Sequence, residues 1–95
     1  MQPVRRLVVD LLKPHDPRTV EFTRALADVD GVEALNATLI ETDREVQNLK
    51  LTVEGTDVDY EGLEETVRDL GGSVHSVDQV VVGEYLLEAQ GTPQD

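Results

Sequence analysis

The chain has 95 residues, enough for one domain whose core needs neither disulfides nor a structural metal. It contains no cysteine, which excludes disulfide scaffolds, cysteine zinc sites, iron–sulfur clusters and thiol nucleophiles. Its net charge of -12 without a basic stripe argues against nucleic acid as a partner, because phosphate would be repelled.

The acidity is spread along the whole chain, with 20 Asp and Glu against 8 Lys and Arg, of which only Lys13 and Lys50 are Lys. A dispersed acidic surface of this kind keeps a protein soluble in concentrated salt, so we expect a halophile. The alternative is an acidic protein from a mesophile that binds basic partners. No segment approaches the roughly 18 apolar residues of a membrane helix, and Asp10 interrupts the short apolar run near the start. We therefore expect a cytoplasmic protein with no membrane partner.

The first predicted element is a strand from Val4 to Lys13, with Leu7, Val9 and Leu11 on one face and polar Arg6 and Asp10 on the other. A helix follows. Asp16 is its expected N-cap, Pro17 its first residue and Gly31 the residue just past its end. Its inner face has helical spacing and comprises Phe22, Ala25, Leu26 and Val29.

The middle of the chain predicts a hairpin. Residues 32–43 alternate between apolar and polar side chains, residues 43–47 form the connection, and Leu49, Leu51 and Val53 continue the alternation. A polar loop then leads to a second helix, capped by Asp57 or Asp59, with an apolar face formed by Tyr60, Leu63, Val67 and Leu70. Gly71 and Gly72 end that helix.

The last predicted strand lies within residues 73–87 and is irregular between Ser76 and Gln79, where alternation fails. We expect residues 1–88 to form a single domain and residues 89–95 a flexible tail. The order β-α-β-β-α-β with half-polar strands predicts an α+β, ferredoxin-like two-layer sandwich. Its antiparallel four-stranded sheet has the order 4-1-3-2 and both helices on one face. A parallel three-layer fold would require strands that are apolar on both faces, and the first three are not.

The open face of this predicted sheet is polar, with a few apolar members. It comprises Arg6, Val8, Asp10, Asn36, Thr38, Ile40, Lys50 and Thr52.

Three blocks carry a resemblance to a known family: LVVDLLKPHDP at 7–17, NATLIETDREVQNLKLTVEG at 36–55 and GGSVHSVDQVVVGE at 71–84. With them the chain resembles an archaeal family of small ferredoxin-like proteins, domain of unknown function 211. The resemblance implies the same fold, an archaeal origin and homo-oligomeric assembly, for example as a ring, and it implies no activity. The second helix is more acidic here, at Glu61, Glu64 and Glu65, which fits a haloarchaeal member.

The two histidines form the candidate metal site. The first strand ends and the fourth begins at the same edge of the predicted sheet, which places His15 and His75 close together. Asp10 and Asp78 lie on the same two strands, and Asp43 and Glu45 lie at the same end. Two imidazoles with one or two carboxylates would suit zinc, nickel or manganese. The alternative is structural: His15 rigidifies the turn between two prolines, and His75 bonds across strands.

Other chemistry is less well supported. Asp57 and Asp59 match only the first ligands of a calcium loop and are better explained as a solvated loop and a helix cap. A triad of Ser73 or Ser76 with His75 and Asp78 lacks a nucleophile elbow, and neighbouring side chains on one strand point to opposite faces. We therefore expect no enzyme, no catalytic residues and no cofactor apart from the candidate metal ion.

The last strand predicts an interaction surface. At a sheet edge it would expose backbone donors and apolar side chains, a hazard that self-association removes. The predicted interface residues are Val80, Val81, Val82, Tyr85 and Leu86, and an alternative interface is the open face around Val8, Leu12 and Ile40. The favoured function is a non-enzymatic, homo-oligomeric scaffold or sensor. The alternative is a regulatory protein that binds a divalent metal or small ligand at the end marked by His15 and His75.

Overall fold

The computed structural model describes residues 1–85. Its elements are β1 (Val4–Pro14), α1 (Thr19–Ala27), β2 (Val32–Thr42), β3 (Val46–Gly55), α2 (Tyr60–Asp69) and β4 (Ser73–Val82). The strands pair in the order β2-β3-β1-β4, and every pair is antiparallel. The predicted ferredoxin-like sandwich with strand order 4-1-3-2 is confirmed. The predicted boundary at residue 88, the tail at 89–95 and Leu86 lie outside the described residues.

The core forms between the helices and one face of the two central strands. Leu7, Val9 and Leu11 of β1 pair in register with Val53, Leu51 and Leu49 of β3, and all six are buried. From the helices, Phe22, Leu26, Leu63 and Val67 complete the cluster. Burial of each such side chain contributes about 1.5–3 kcal/mol, so an aliphatic core of this size can hold the sandwich together.

The two helix starts differ in how well the sequence predicts them. For α2 the predicted cap is confirmed, because the Asp59 side chain accepts a hydrogen bond from the Gly62 N–H. For α1 the prediction of Asp16 as N-cap is wrong. The helix begins at Thr19 with Arg18 as its N-cap, and the first helical hydrogen bond runs from the Phe22 N–H to the Arg18 carbonyl oxygen. Asp16 lies two residues too early for that role.

Gly31 lies between α1 and β2 and packs against the loop before α2. Its φ is +84°, and a Cβ there would lie 1.9 Å from the Asp57 carbonyl oxygen. Only glycine fits this close approach of two backbone segments. The contact places the loop that carries Asp59 against the start of β2.

Two bulges interrupt β4, and the one at Asp78 falls within the predicted irregular segment between Ser76 and Gln79. Val8 and Val9 of β1 pair with Gln79 and Val77, which leaves Asp78 as an extra residue. In the same way, Asp10 and Leu11 pair with Ser76 and Val74, which leaves His75 extra. A bulge re-aims side chains and often marks a site.

A further irregularity lies in β2. Leu39 pairs with Leu49 and Glu41 pairs with Asn48, which leaves Ile40 as the extra residue. Simple alternation would place Glu41 on the same face as Leu39, toward the helices. The bulge instead brings Glu41 opposite Asn48, on the open face of the sheet.

Among residues 1–85, no helix combines the length and the apolar character needed to cross a membrane.

Candidate functional site

A pocket of about 290 Å³ lies on the open face of the sheet, at the end where the β2–β3 hairpin turns. All four strands contribute to its wall, and the hairpin closes one side. The lining residues are Asp10, Leu12, Glu41, Thr42, Asp43, Val46, Asn48 and His75. The sheet and the hairpin turn thus form a concave surface on the side away from the helices.

Asp10 is held in the floor of the pocket by Asn48. The Asn48 side-chain amide donates to Asp10 Oδ1 and also to the Leu11 carbonyl oxygen at 3.1 Å. Because both amide protons are engaged, the Asn48 side chain is fixed, and it fixes the carboxylate in turn. A carboxylate offers about four acceptor positions, so Asp10 retains acceptors for a ligand.

Asp43 organises the hairpin. Its Oδ1 accepts hydrogen bonds from the N–H groups of Val46 and Glu45, each at 2.9 Å. These two bonds lower the pKa of the Asp43 carboxyl below its ordinary value, because they stabilise the charged form. The backbone of Asp43 is also engaged, since its carbonyl oxygen accepts from His15 Nε2 at 2.7 Å.

The structure brings together only part of the predicted metal site. Asp10 and His75 line the same pocket, whereas His15 is bound to the Asp43 backbone. Asp78 accepts from the Ser76 hydroxyl at 2.7 Å and lies 4.0 Å from the Lys50 ammonium. Within residues 1–85, no three His, Asp or Glu side chains are grouped closely enough to hold a metal ion. Metal binding stays a prediction.

The other acidic segment considered for a metal has structural roles. Asp57 Oδ1 accepts from the Val4 N–H at 3.1 Å, and Asp59 caps α2. The Ser76 hydroxyl, one member of the disfavoured triad, donates to Asp78.

The outer edge of β4 carries the predicted interface. Among residues 1–85, β4 hydrogen-bonds to β1 on one side and has no second strand partner, and Val80 and Val82 are 51% and 52% exposed. Tyr85 is exposed as well, whereas Val81 is only 8% exposed. The Val81 side chain therefore offers little surface to a partner, although it was predicted to contribute.

Lys13 is a residue that the sequence interpretation missed. Its side chain is fully buried, and its ammonium donates to the Pro14 carbonyl oxygen and to Gln47 Oε1, both at 2.8 Å. The ammonium also lies 5.7 Å from the centre of the Phe22 ring. Burial lowers the Lys13 pKa, because it penalises the charged form. Lys13 continues the two-residue spacing of Leu7, Val9 and Leu11, and this alternation was the signal in the sequence that could have predicted its burial.

Two comparisons with known proteins show which sequences this chain is similar to. The model of family DUF211, described as "Uncharacterized ArCR", matches residues 5–95. An uncharacterized protein of Methanocaldococcus jannaschii is 39% identical over 95 residues, which cover 100% of this chain and 98% of that relative. The resemblance carried by the three sequence blocks is thus supported over nearly the full chain.

Proposed function

The chain belongs to the DUF211 family, and on that premise we propose that it is a non-enzymatic module that assembles with copies of itself through the outer edge of β4. In this role it serves as a scaffold or sensor. The observation that carries the proposal is an exposed edge strand with apolar side chains at Val80 and Val82. An unpaired edge of this kind is a template for strand addition, and a second copy of the same edge satisfies its backbone groups.

The distribution of charge favours β4 over the other edge. In a chain with 20 acidic residues, β4 has one, Asp78, and that carboxylate lies near Lys50. The opposite edge, β2, carries Glu33 and Glu41. If two copies met along β2, their acidic side chains would lie close together and repel. Residues 79–82 of β4 contain no acidic side chain, so two copies can meet along this segment without that repulsion.

A matched pair of variants tests the assembly. Val80→Lys adds a charge to the β4 edge, and Val20→Lys makes the same change on α1, where Val20 is 63% exposed. We expect sedimentation velocity in molar KCl to show an oligomer for the wild type and Val20→Lys and a smaller species for Val80→Lys. A wild type that stays monomeric at high protein concentration would contradict the proposal.

This module works in the salty cytoplasm of a haloarchaeon. The dispersed net charge of -12 supports this part of the proposal, because such a surface stays soluble in concentrated salt. The same charge argues against nucleic acid or an anionic membrane surface as a partner. Copies of the chain repel one another as well, and molar salt screens that repulsion. No catalytic step is assigned, because the Ser76 hydroxyl donates to Asp78 and not to an imidazole.

A second candidate function is regulation by a divalent metal or small ligand at the pocket that Asp10 and His75 share. The observation in its favour is the concave site itself, since pockets with a few convergent polar groups are where ligands bind. Calorimetric titration with zinc, nickel and calcium tests the metal form. A metal role requires heat that disappears in His75→Ala and in Asp10→Asn, and heat that persists in both variants would contradict it.

A further inference from the structure

We propose that two copies of the chain pair about a two-fold axis, β4 against β4 and α2 against α2, so that Glu64 of each copy meets Arg68 of the other. This inference rests on the proposed assembly through β4 and makes it specific, because it adds a helix layer to the interface and fixes its symmetry. Its support comes from uncovered valines beside α2, from the spacing of the strands and from the charges on one side of α2.

The hydrophobic layer of the sandwich is open along β4. Val77 and Val80 pair in register with Val9 and Leu7, so all four side chains lie on the helix side of the sheet. Val9 and Leu7 are buried, yet Val77 is 42% exposed and Val80 is 51% exposed. A single strand added to β4 would satisfy its backbone groups and leave these two valines in water. A partner that also carries a helix layer covers them.

The spacing of the strands places a second copy of α2 at helix-packing distance. α2 contacts β4 and α1 contacts β2, so α2 lies over the half of the sheet that contains β1 and β4. Neighbouring strands are about 4.8 Å apart, and each α2 axis lies about half a spacing inside its own β4. A β4–β4 pair therefore separates the two α2 axes by two such spacings, about 10 Å. Packed helices are about 8–10 Å apart, so the two helices meet above the exposed valines.

One side of α2 faces α1 and the opposite side faces the β4 edge. A Cβ on Gly62 would lie 3.6 Å from Val29 Cγ1, so the Gly62 side faces the segment that follows α1. Because Leu63 and Val67 are buried in the core, helical geometry places the opposite side at a run of positions four residues apart. The residues of this side are Tyr60, Glu64 and Arg68.

These three side chains lie together and include one acid and one base. Arg68 Nη1 lies 3.7 Å from Glu64 Oε2. Burial raises the pKa of the Tyr60 phenol, and the nearby Glu64 carboxylate raises it further. The outward side of α2 is acidic instead, with exposed Glu61, Glu65 and Asp69. In a chain of net charge -12, a second copy therefore approaches the β4 side of α2 with less repulsion than the outward side.

A two-fold axis makes the charges on this side complementary. An axis perpendicular to the sheet makes the two β4 strands antiparallel and the two α2 helices antiparallel at once. In such an interface each contact occurs twice, so Glu64 faces Arg68 of the partner subunit while Arg68 faces Glu64 of the partner subunit. The ion pair that each helix makes within itself is thus joined by two that cross the interface.

A charge-reversal series, followed by sedimentation equilibrium in molar KCl, tests the helix contact. Glu64→Arg and Arg68→Glu should each weaken self-association about tenfold, because each turns two ion pairs of the dimer into like-charge pairs. A mixture of the two variants should associate as a heterodimer, since the arginines of one chain then face the glutamates of the other. Glu65→Arg makes the same charge change on the outward side and should not weaken association.

The heterodimer distinguishes a contact between chains from the ion pair within one helix, because each chain in the mixture keeps its own like-charged pair. If Val80→Lys dissociates the wild type but both reversed chains associate as tightly as the wild type, the helix contact is wrong and assembly through β4 stands. No heterodimer from two variants that circular dichroism shows to be folded, or a wild-type assembly with an odd number of subunits, would also overturn the two-fold arrangement. A wild type that stays monomeric would overturn both proposals.

Discussion

His15 and Asp43 are joined by a hydrogen bond of 2.7 Å, in which the imidazole Nε2–H donates to the backbone carbonyl oxygen. The bond connects the loop after β1 to the β2–β3 hairpin, two segments that are 28 residues apart in the chain. It fixes the hairpin that closes one side of the pocket, so His15 acts on the pocket through the position of the hairpin.

Replacing His15 should therefore loosen the hairpin selectively. In His15→Ala we expect faster exchange of two amide protons: that of Asp43, which donates to the Val46 carbonyl oxygen, and that of Val46, which donates to Asp43 Oδ1. Exchange at Leu51 in the sheet centre should stay unchanged. His75→Ala is the matched control, because that imidazole lines the pocket without an assigned bond to the hairpin. Equal exchange at Val46 in wild type and His15→Ala would show that the bond has no structural role.

Asp43 should make hairpin stability depend on pH. Its folded pKa is lowered by the N–H donors of Val46 and Glu45, so its contribution is present above the unfolded pKa of about 3.9 and is lost as pH falls through the folded pKa. The melting temperature of Asp43→Ala should thus lie below that of the wild type at pH 7, and the gap should narrow toward pH 2. A gap that stays constant across this range would assign the effect to packing.

The buried charge of Lys13 should destabilise the folded state, whereas its aliphatic chain should stabilise it through packing. Because burial lowers its folded pKa, the folded state disfavours the proton, and stability should rise as pH increases from the folded pKa to the unfolded value of about 10.4. Lys13→Met keeps the packing against Phe22 and should change the free energy of unfolding by less than about 1 kcal/mol while it removes that rise.

The matched comparison is Lys13→Ala, which also removes the buried chain. It should cost about 2–3 kcal/mol, measured by denaturant titration at fixed salt. Similar losses in the Met and Ala variants would mean that the hydrogen bonds to Pro14 and Gln47 matter more than the packing.

The caps of the two helices should respond differently to removal of an aspartate. Asp59→Ala should lower the free energy of unfolding by about 1 kcal/mol, because the Gly62 N–H loses its acceptor. Asp16→Ala should cost less than about 0.5 kcal/mol, because Asp16 lies outside α1 and loses only the attraction of its carboxylate for the Lys13 ammonium. Equal costs would indicate that Asp16 stabilises the fold in another way.

The acidic surface should make stability rise with salt. The Debye length falls from about 10 Å at 0.1 M to about 3 Å at 1 M, which screens the repulsion of a chain with net charge -12. We expect the melting temperature to increase from low to molar KCl, and the increase to be smaller in Glu61→Gln/Glu65→Gln. A flat salt dependence would favour the alternative, an acidic protein that binds basic partners.

Much of the fold follows from local patterns. Alternation at Leu7, Val9 and Leu11 requires a strand with one buried face, and helical spacing from Tyr60 to Leu70 requires an amphipathic helix. The order of these elements restricts the sheet to few topologies, and the observed one was predicted. Part of the pocket was predictable as well, since Asp10 and the first residues of β4 lie at the same end of neighbouring antiparallel strands.

By itself, then, the sequence determined the ferredoxin-like fold, the dispersed acidity and the edge position of β4, because these depend on periodicity, composition and connection order. Only the tertiary structure decided which side chains meet. A bulge at Ile40 moves Glu41 to the open face, and Asp78 lies near Lys50 and does not line the pocket that Asp10 and His75 share. Lys13 is buried because Phe22 and Gln47 surround it. Such placements depend on one-residue register shifts and on contacts between distant segments, which local patterns do not encode.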